Sequence, residues 1–363
     1  GTTDGQVSLT NSEFTLIDQN AAQVLNNGSG TIRAIVQGNN FHDADATGGD
    51  GNNTLYLTNS ANGHLNFTVG GAGALGNTFH NLARLTTLAG VVQVDAAGGS
   101  AGTPAGGLIN GTITNNNIWN DAGFTNGRRA IDVQVEADSH NLGQLAVAIT
   151  NNTVNNVAGN GIHVSVVSVG GGSVNDGNWT ITGNNLGTPG TNNGLRVGLD
   201  NTDSASAIEF ETNADSFTSG ADTVNKLQIT NNTAVNSANN ATGAAVDVTN
   251  LWGSTASGTT SLLQATITNN TLTNLDTSGT GHVLDVLNSS AGDGETTNLN
   301  IAGNNTTLGA STAGEIRLRQ LNGAFNIQGG LAAVSANNNG DTVNSTGSFG
   351  TVGSVTLPTA PSF

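Results

Sequence analysis

Eight short stretches of the form apolar–x–apolar recur along the chain. Their middle residues form a chemically rich set: Tyr56, Gln93, Asp132, His163, Arg196, Asp247, Asp285 and Arg317. Asp95, Glu136 and Arg319 follow shortly after in the same stretches. Paired carboxylates can serve as the acid and base of a hydrolase, which makes Asp95 and Asp132 candidates. An imidazole can abstract a proton and a guanidinium can bind a uronate, which marks His163 and Arg196. The same set also reads as a mixed-charge solvated face, with acids and bases on neighbouring strands relieving like-charge contact. Lys226 is the one lysine, and a polyanion-cleaving lyase wants more cationic groups.

The segment Gly48-Gly-Asp-Gly-Asn-Asn-Thr-Leu-Tyr56 resembles the calcium-binding nonapeptide of β-roll proteins, with Asn53 in place of the family's aspartate and no tandem copy. Asp43, Asp45 and Asp50 add oxygen ligands suited to a hard cation, so calcium is the one cofactor that the sequence suggests. An acidic surface loop is the other reading. The histidines (42, 64, 80, 140, 163 and 282) show no metal-ligand spacing. Trp119, Trp179 and Trp252 are scattered; one could stack on a sugar, and anchoring in the core or a loop is the alternative. No nucleophile elbow, P-loop or dinucleotide fingerprint occurs.

These residues need a frame, and a repeated phrase supplies one. It runs Val36-Gln-Gly-Asn-Asn-Phe41, Ile113-Thr-Asn-Asn-Asn-Ile118, Ile149-Thr-Asn-Asn-Thr-Val154, Ile181-Thr-Gly-Asn-Asn-Leu186, Ile229-Thr-Asn-Asn-Thr-Ala234, Ile267-Thr-Asn-Asn-Thr-Leu272 and Ile301-Ala-Gly-Asn-Asn-Thr306, with a weaker copy at Ala74-Leu-Gly-Asn-Thr-Phe79. The period varies from 32 to 48 residues, yet the fourth position is always asparagine: Asn39, Asn77, Asn116, Asn152, Asn184, Asn232, Asn270 and Asn304. A coil corner leaves backbone groups that neighbouring strands cannot satisfy. Asparagines stacked in register can bond that backbone and one another. The Asn-x-Thr triplets look like glycosylation sites, but the repeat explains them.

Each phrase is followed by one apolar–x–apolar stretch, whose period-two alternation is that of a strand with one face inward. A third, less regular strand is expected before each phrase, as in Ala207-Ile-Glu-Phe-Glu211. Three strands per coil predict an all-β, single-stranded parallel β-helix of about eight to nine coils with an internal asparagine ladder. The largest insertion falls in the coil from Ile181. Residues 31–324 form the helix, residues 1–30 a capping coil, and residues 325–363 a second cap with an extended tail. The prolines of Val355-Thr-Leu-Pro-Thr-Ala-Pro-Ser-Phe363 leave it as a frayed tail or an arm lent to a neighbouring subunit.

Composition sets the bounds. Charged residues are 9% against about 25% in ordinary domains. A net charge of −17 argues against nucleic acid and anionic lipid. There is no cysteine, hence no disulfide or thiolate chemistry, and no methionine, which reads as a processed or excised chain. No stretch of about 18 apolar residues offers a membrane span. The acidic, Asn/Thr-rich, cysteine-free balance suits a secreted or cell-surface protein of a prokaryote.

Over residues 30–330 the pattern resembles the right-handed parallel β-helix family, which includes pectate-lyase-like proteins and the passenger regions of large bacterial secreted proteins. That resemblance implies the fold and leaves the activity open. The first expectation is an extracellular structural or adhesive rod, such as a surface fibre or matrix filament. It would associate with itself end to end or with another surface component. The alternatives are a polysaccharide lyase or glycoside hydrolase acting on carbohydrate from the second-strand face, and a trimeric phage-type receptor-binding spike.

Overall fold

The structure, a computed structural model, describes residues 4–17, 20–44, 53–60, 63–82, 90–97, 107–121, 129–137, 145–157, 159–169, 176–187, 206–215, 223–236, 243–252, 261–275, 280–290 and 295–362. Its strands fall into three sheets in which each strand pairs with its equivalent one coil on. The first sheet has 11 strands, from Gly5–Thr10 to Gly350–Val352. The second has 9, from Glu13–Ile17 to Asn305–Leu308, and the third has 10, from Ala22–Asn26 to Val343–Thr346. Pairing is parallel throughout, as between Leu145–Thr150 and Gly177–Thr182. At about 4.8 Å per rung the rod is roughly 48 Å long. The chain is a parallel β-helix.

The phrase straddles a corner. Ile149 and Thr150 end a strand of the first sheet, and Thr153 and Val154 lie in the second. Before seven of the eight ladder positions from Asn39 to Asn304 the residue takes a left-handed conformation: Asn115, Asn151, Asn231 and Asn269 have φ of 55–58°, and Gly38, Gly183 and Gly303 of 67–70°; Gly76, before Asn77, is extended at φ −64°. Asn and Gly are the residues that tolerate this region, which explains their alternation at the phrase's third position.

The ladder follows one rule. Asn184 Oδ1 accepts the Asn152 backbone N–H (2.9 Å) and Nδ2 (3.0 Å). Asn184 Nδ2 donates to Ile149 O (2.9 Å) and Asn232 Oδ1 (3.0 Å). Two donors and two lone pairs are thereby all used. The pattern holds from Asn39 to Asn304, and Asn338 adds a rung that the sequence repeat does not display. At the other end Ser12 offers only its backbone N–H, to Asn39 Oδ1 at 3.0 Å.

Inside the rod some columns stack like on like, while the column through Ala34, Phe67, Gly111, Val147 and Trp179 mixes sizes. Val36, Val69, Ile113, Ile149, Ile181, Ile229, Ile267 and Ile301 are in register. Phe14, Phe41 and Phe79 stack at 4.8 and 4.7 Å. Trp179 belongs to this core, with its indole N–H on Asn225 Oδ1 at 2.9 Å.

Two sequence expectations change. The weak copy at Ala74 does not open on a strand: Val69 is the registered residue, and a one-turn 3-10 segment, Gly73–Leu75, is inserted before Asn77, after which Thr78 and Phe79 rejoin the second sheet. Ala207–Glu211 does not precede a phrase either. Ile208–Asp215 is the third-sheet strand of the coil from Ile181, paired with Ile162–Val169. Leu195-Arg-Val197, expected in that place, lies outside the described residues.

Both ends depart from the repeat. Gly5–Ile17 and Ala22–Asn26 form a first coil, whose outer strand leaves Val7 43% exposed. In the last coil, helix α1 (Leu331–Asn337) comes between Ala324–Gln328 and the ladder residue Asn338. The tail lies on its own rod: Thr356 N–H donates to Gln264 Oε1 (2.8 Å) and Thr359 N–H to Asn178 Oδ1 (2.9 Å).

Two adjacent asparagines give a test. Asn184→Ala strands four hydrogen-bond partners in the interior and is expected to cost about 2–4 kcal/mol. Asn185→Ala, at an exposed site, should change stability by less than about 0.5 kcal/mol. Equal urea midpoints for the two variants would contradict the ladder's role.

Candidate functional site

The outward column of the third sheet reads Gln23, Tyr56, Gln93, Asp132, His163, Glu209, Asp247, Asp285, Arg317 and Asn344. Glu209 holds the rung expected for Arg196, which lies outside the described residues. A parallel column two residues along carries Asp95, Gln134, Ser165, Glu211, Thr249, Leu287 and Arg319.

These groups are not a solvated face. Asp132 is 0%, Asp285 1% and His163 2% exposed. Their partners come from the same strand and from the neighbouring rung. Asp132 Oδ1 meets His163 Nδ1 at 2.8 Å, and Asp132 Oδ2 accepts from Gln134 Nε2 at 2.8 Å and Arg129 Nη1 at 3.3 Å. Arg317 and Arg319 both clamp Asp285. A buried charge is tolerable when paired in this way.

His163 is the centre of the group. Its Nδ1 is occupied by Asp132, which turns Nε2 toward the next rung. There Nε2 lies 3.7 Å from Glu211 Oε1, beyond hydrogen-bond reach, and is buried with no hydrogen-bond partner. Glu211 Oε1 accepts from Ser165 Oγ at 2.6 Å, and Glu209 Oε2 accepts from Asn160 Nδ2 at 2.7 Å.

The ionisation states follow the packing. Burial pushes the His163 imidazolium down, but Asp132 and Glu211 outweigh it and lift its pKa to about 9. His163 draws Glu211 below the usual carboxylate value, with Ser165 assisting. Burial raises Glu209. Asp247, between Glu209 and Asp285, is raised well above its ordinary value by burial, then by Asp285 and Glu209.

The remaining expected residues do not gather. Asp95 is registered with Gln134, not Asp132, and bonds Gln93 Nε2 at 2.8 Å. Asp43 pairs with His42, which also meets Glu13 at 3.0 Å; Asp45 and Asp50 lie outside the described residues. Glu136 lies in the same strand as Asp132. Trp119 stacks on His80 at 4.6 Å on the second sheet. Spacing could not single out Arg129, Glu209 or Glu211, since Glu211 stands 46 residues from its rung partner Ser165. Ile208-Glu-Phe-Glu211 was legible only as a strand.

No family model matches the chain, and no curated protein or solved structure matches it significantly. The β-helix assignment therefore stands on the sheets and the ladder alone.

The His163 pair gives a pH test. A pKa raised from 6.5 to about 9 in the fold makes the stabilisation fully present below pH 6.5 and lost as pH rises to 9. The loss should be on the order of 3 kcal/mol. Asp247 and Glu209, raised likewise, add a fall of the same sign that begins in the ordinary carboxylate range. Urea unfolding in chelator across this window, with His163→Gln subtracted, isolates the histidine. Identical slopes for the two proteins would refute the assignment.

Proposed function

We propose that the chain is an extracellular structural or adhesive β-solenoid, a rod that serves as a subunit of a surface fibre or matrix filament and associates through its ends. The observation that carries this reading is the uninterrupted amide ladder, from Asn39 to Asn338, with each link a pair of bonds to the next coil. Such a column resists local opening, because one coil cannot leave without stranding its neighbours' amides. Mechanical and proteolytic resistance is what a rod outside the cell needs, and the acidic, cysteine-free composition suits that location.

The burial of Asp132 supports this over the hydrolase reading, since a general acid or base must reach its substrate. Kinship with pectate-lyase-like or passenger-type proteins belongs to the same proposal and rests on the repeat. Nothing in the geometry favours the trimeric spike over the rod.

End-to-end association would use the outer strand of the first coil, where Val7 is 43% exposed, in a sheet whose edge is available for pairing. With a net charge of −17, like-charged rods repel, so assembly should strengthen with salt. Electron microscopy and sedimentation velocity should show concentration-dependent rods longer than one subunit, favoured at about 0.5 M salt over about 0.02 M. Val7→Lys should abolish them without lowering the urea midpoint by more than about 0.5 kcal/mol equivalent. Monomers under all conditions would reject the filament.

A further inference from the structure

We propose that His163, Glu209 and Glu211 form a binding site for a divalent cation of the zinc type, with Asp132 as the residue that orients the histidine. Among the described residues this is the one group of three whose ligand atoms, one from each, all lie within 4.8 Å of one another. The site goes beyond the structural reading above and does not depend on it.

The geometry carries the inference. His163 stands on Ile162–Val169, and Glu209 and Glu211 stand on Ile208–Asp215, the next rung, all on the outward face. In a tetrahedral site with bonds of about 2.1 Å, ligand atoms lie about 3.4 Å apart. The His163 Nε2–Glu211 Oε1 separation of 3.7 Å is close to that and too long for a hydrogen bond.

An independent observation points the same way. His163 is 2% exposed, and its Nε2 has no hydrogen-bond partner, with Glu211 Oε1 3.7 Å away. A buried nitrogen left unmet costs stability, and native folds rarely tolerate it. A bound cation satisfies it. Glu211, 32% exposed, keeps an access route from solvent.

The surroundings match what metal-bound histidines require. The nitrogen not facing the cation is usually held by a carboxylate, which fixes the ring. Asp132 does this at 2.8 Å and is itself held by Gln134 and Arg129. One imidazole nitrogen and two carboxylates select a borderline cation such as zinc. Calcium would want six to eight oxygens. The charges also close: a cation of +2 against two glutamates, and Arg129 against Asp132. The cation would tie two rungs across the longest coil, adding a side-chain clamp to the backbone pairing there.

Titration calorimetry with zinc chloride on the chelator-stripped full chain at pH 7.5 tests this. One zinc should bind per chain. Zinc should raise the melting temperature and magnesium should not. Glu211→Gln, at a partly exposed site, should weaken binding at least tenfold, and Asp132→Asn by about 10- to 100-fold. His163→Gln should abolish it. Glu13→Gln, remote on the second sheet beside His42, should leave it unchanged. No saturable binding would overturn the proposal. So would one-to-one binding unaltered by Glu211→Gln, which would assign the zinc elsewhere.

Discussion

Everything in this molecule answers to vertical registry. A parallel stack sets each residue about 4.8 Å above its equivalent in the coil below. A column that repeats one residue type must therefore be built from groups that tolerate their own kind. Amides do, because each offers donors and acceptors in equal number: the Asn184 amide is saturated by Asn152, Ile149 and Asn232. Branched aliphatics do, by close packing of identical shapes. Phenyl rings do, and the stack Phe14–Phe41–Phe79 has interplanar angles of 9° and 2°.

Charges are the exception, and the third sheet shows how the rule constrains them. Asp132 over His163 is an attractive step. Glu209, Asp247 and Asp285 on successive rungs are not, and the Asp247 carboxyl is raised well above its ordinary value by burial and by those two neighbours. The run ends where Arg317 and Arg319 meet Asp285. Because backbone pairing fixes the column, acids cannot step aside, so relief must come from protonation, a cationic neighbour or a bound cation.

This separates what the sequence could tell from what it could not. The ladder was legible because registry forces one residue type into one place, from Asn39 to Asn304. Asn338 was missed because α1 displaces the phrase that would announce it. Val69 was missed because the extra turn at Gly73–Leu75 separates it from Asn77. The column was read as Arg196 rather than Glu209 because two apolar–x–apolar stretches share one coil and their local pattern is the same. The burial of Asp132 and the meeting of His163 with Glu211 had no local signature, since both depend on which strand stacks next. Strand alternation tells which way a side chain points and is silent on what lies over it.

The tail extends the same logic to the outside of the rod. Along its course Val352, Val355, Pro358 and Pro361 are half-buried, one residue in every three, with more exposed residues between them. Three residues is the turn of a polyproline II helix, rising about 9.3 Å. Two rungs of the rod rise about 9.6 Å. The two periods nearly coincide, so Thr356 and Thr359 present their N–H groups to Gln264 and Asn178, which are two rungs apart in the outward column of the first sheet. Prolines that bar this segment from the sheet suit it to lie across one, because an extended chain without internal hydrogen bonds has N–H groups to spare. The spacing that builds the interior thus also measures what can bind along its surface.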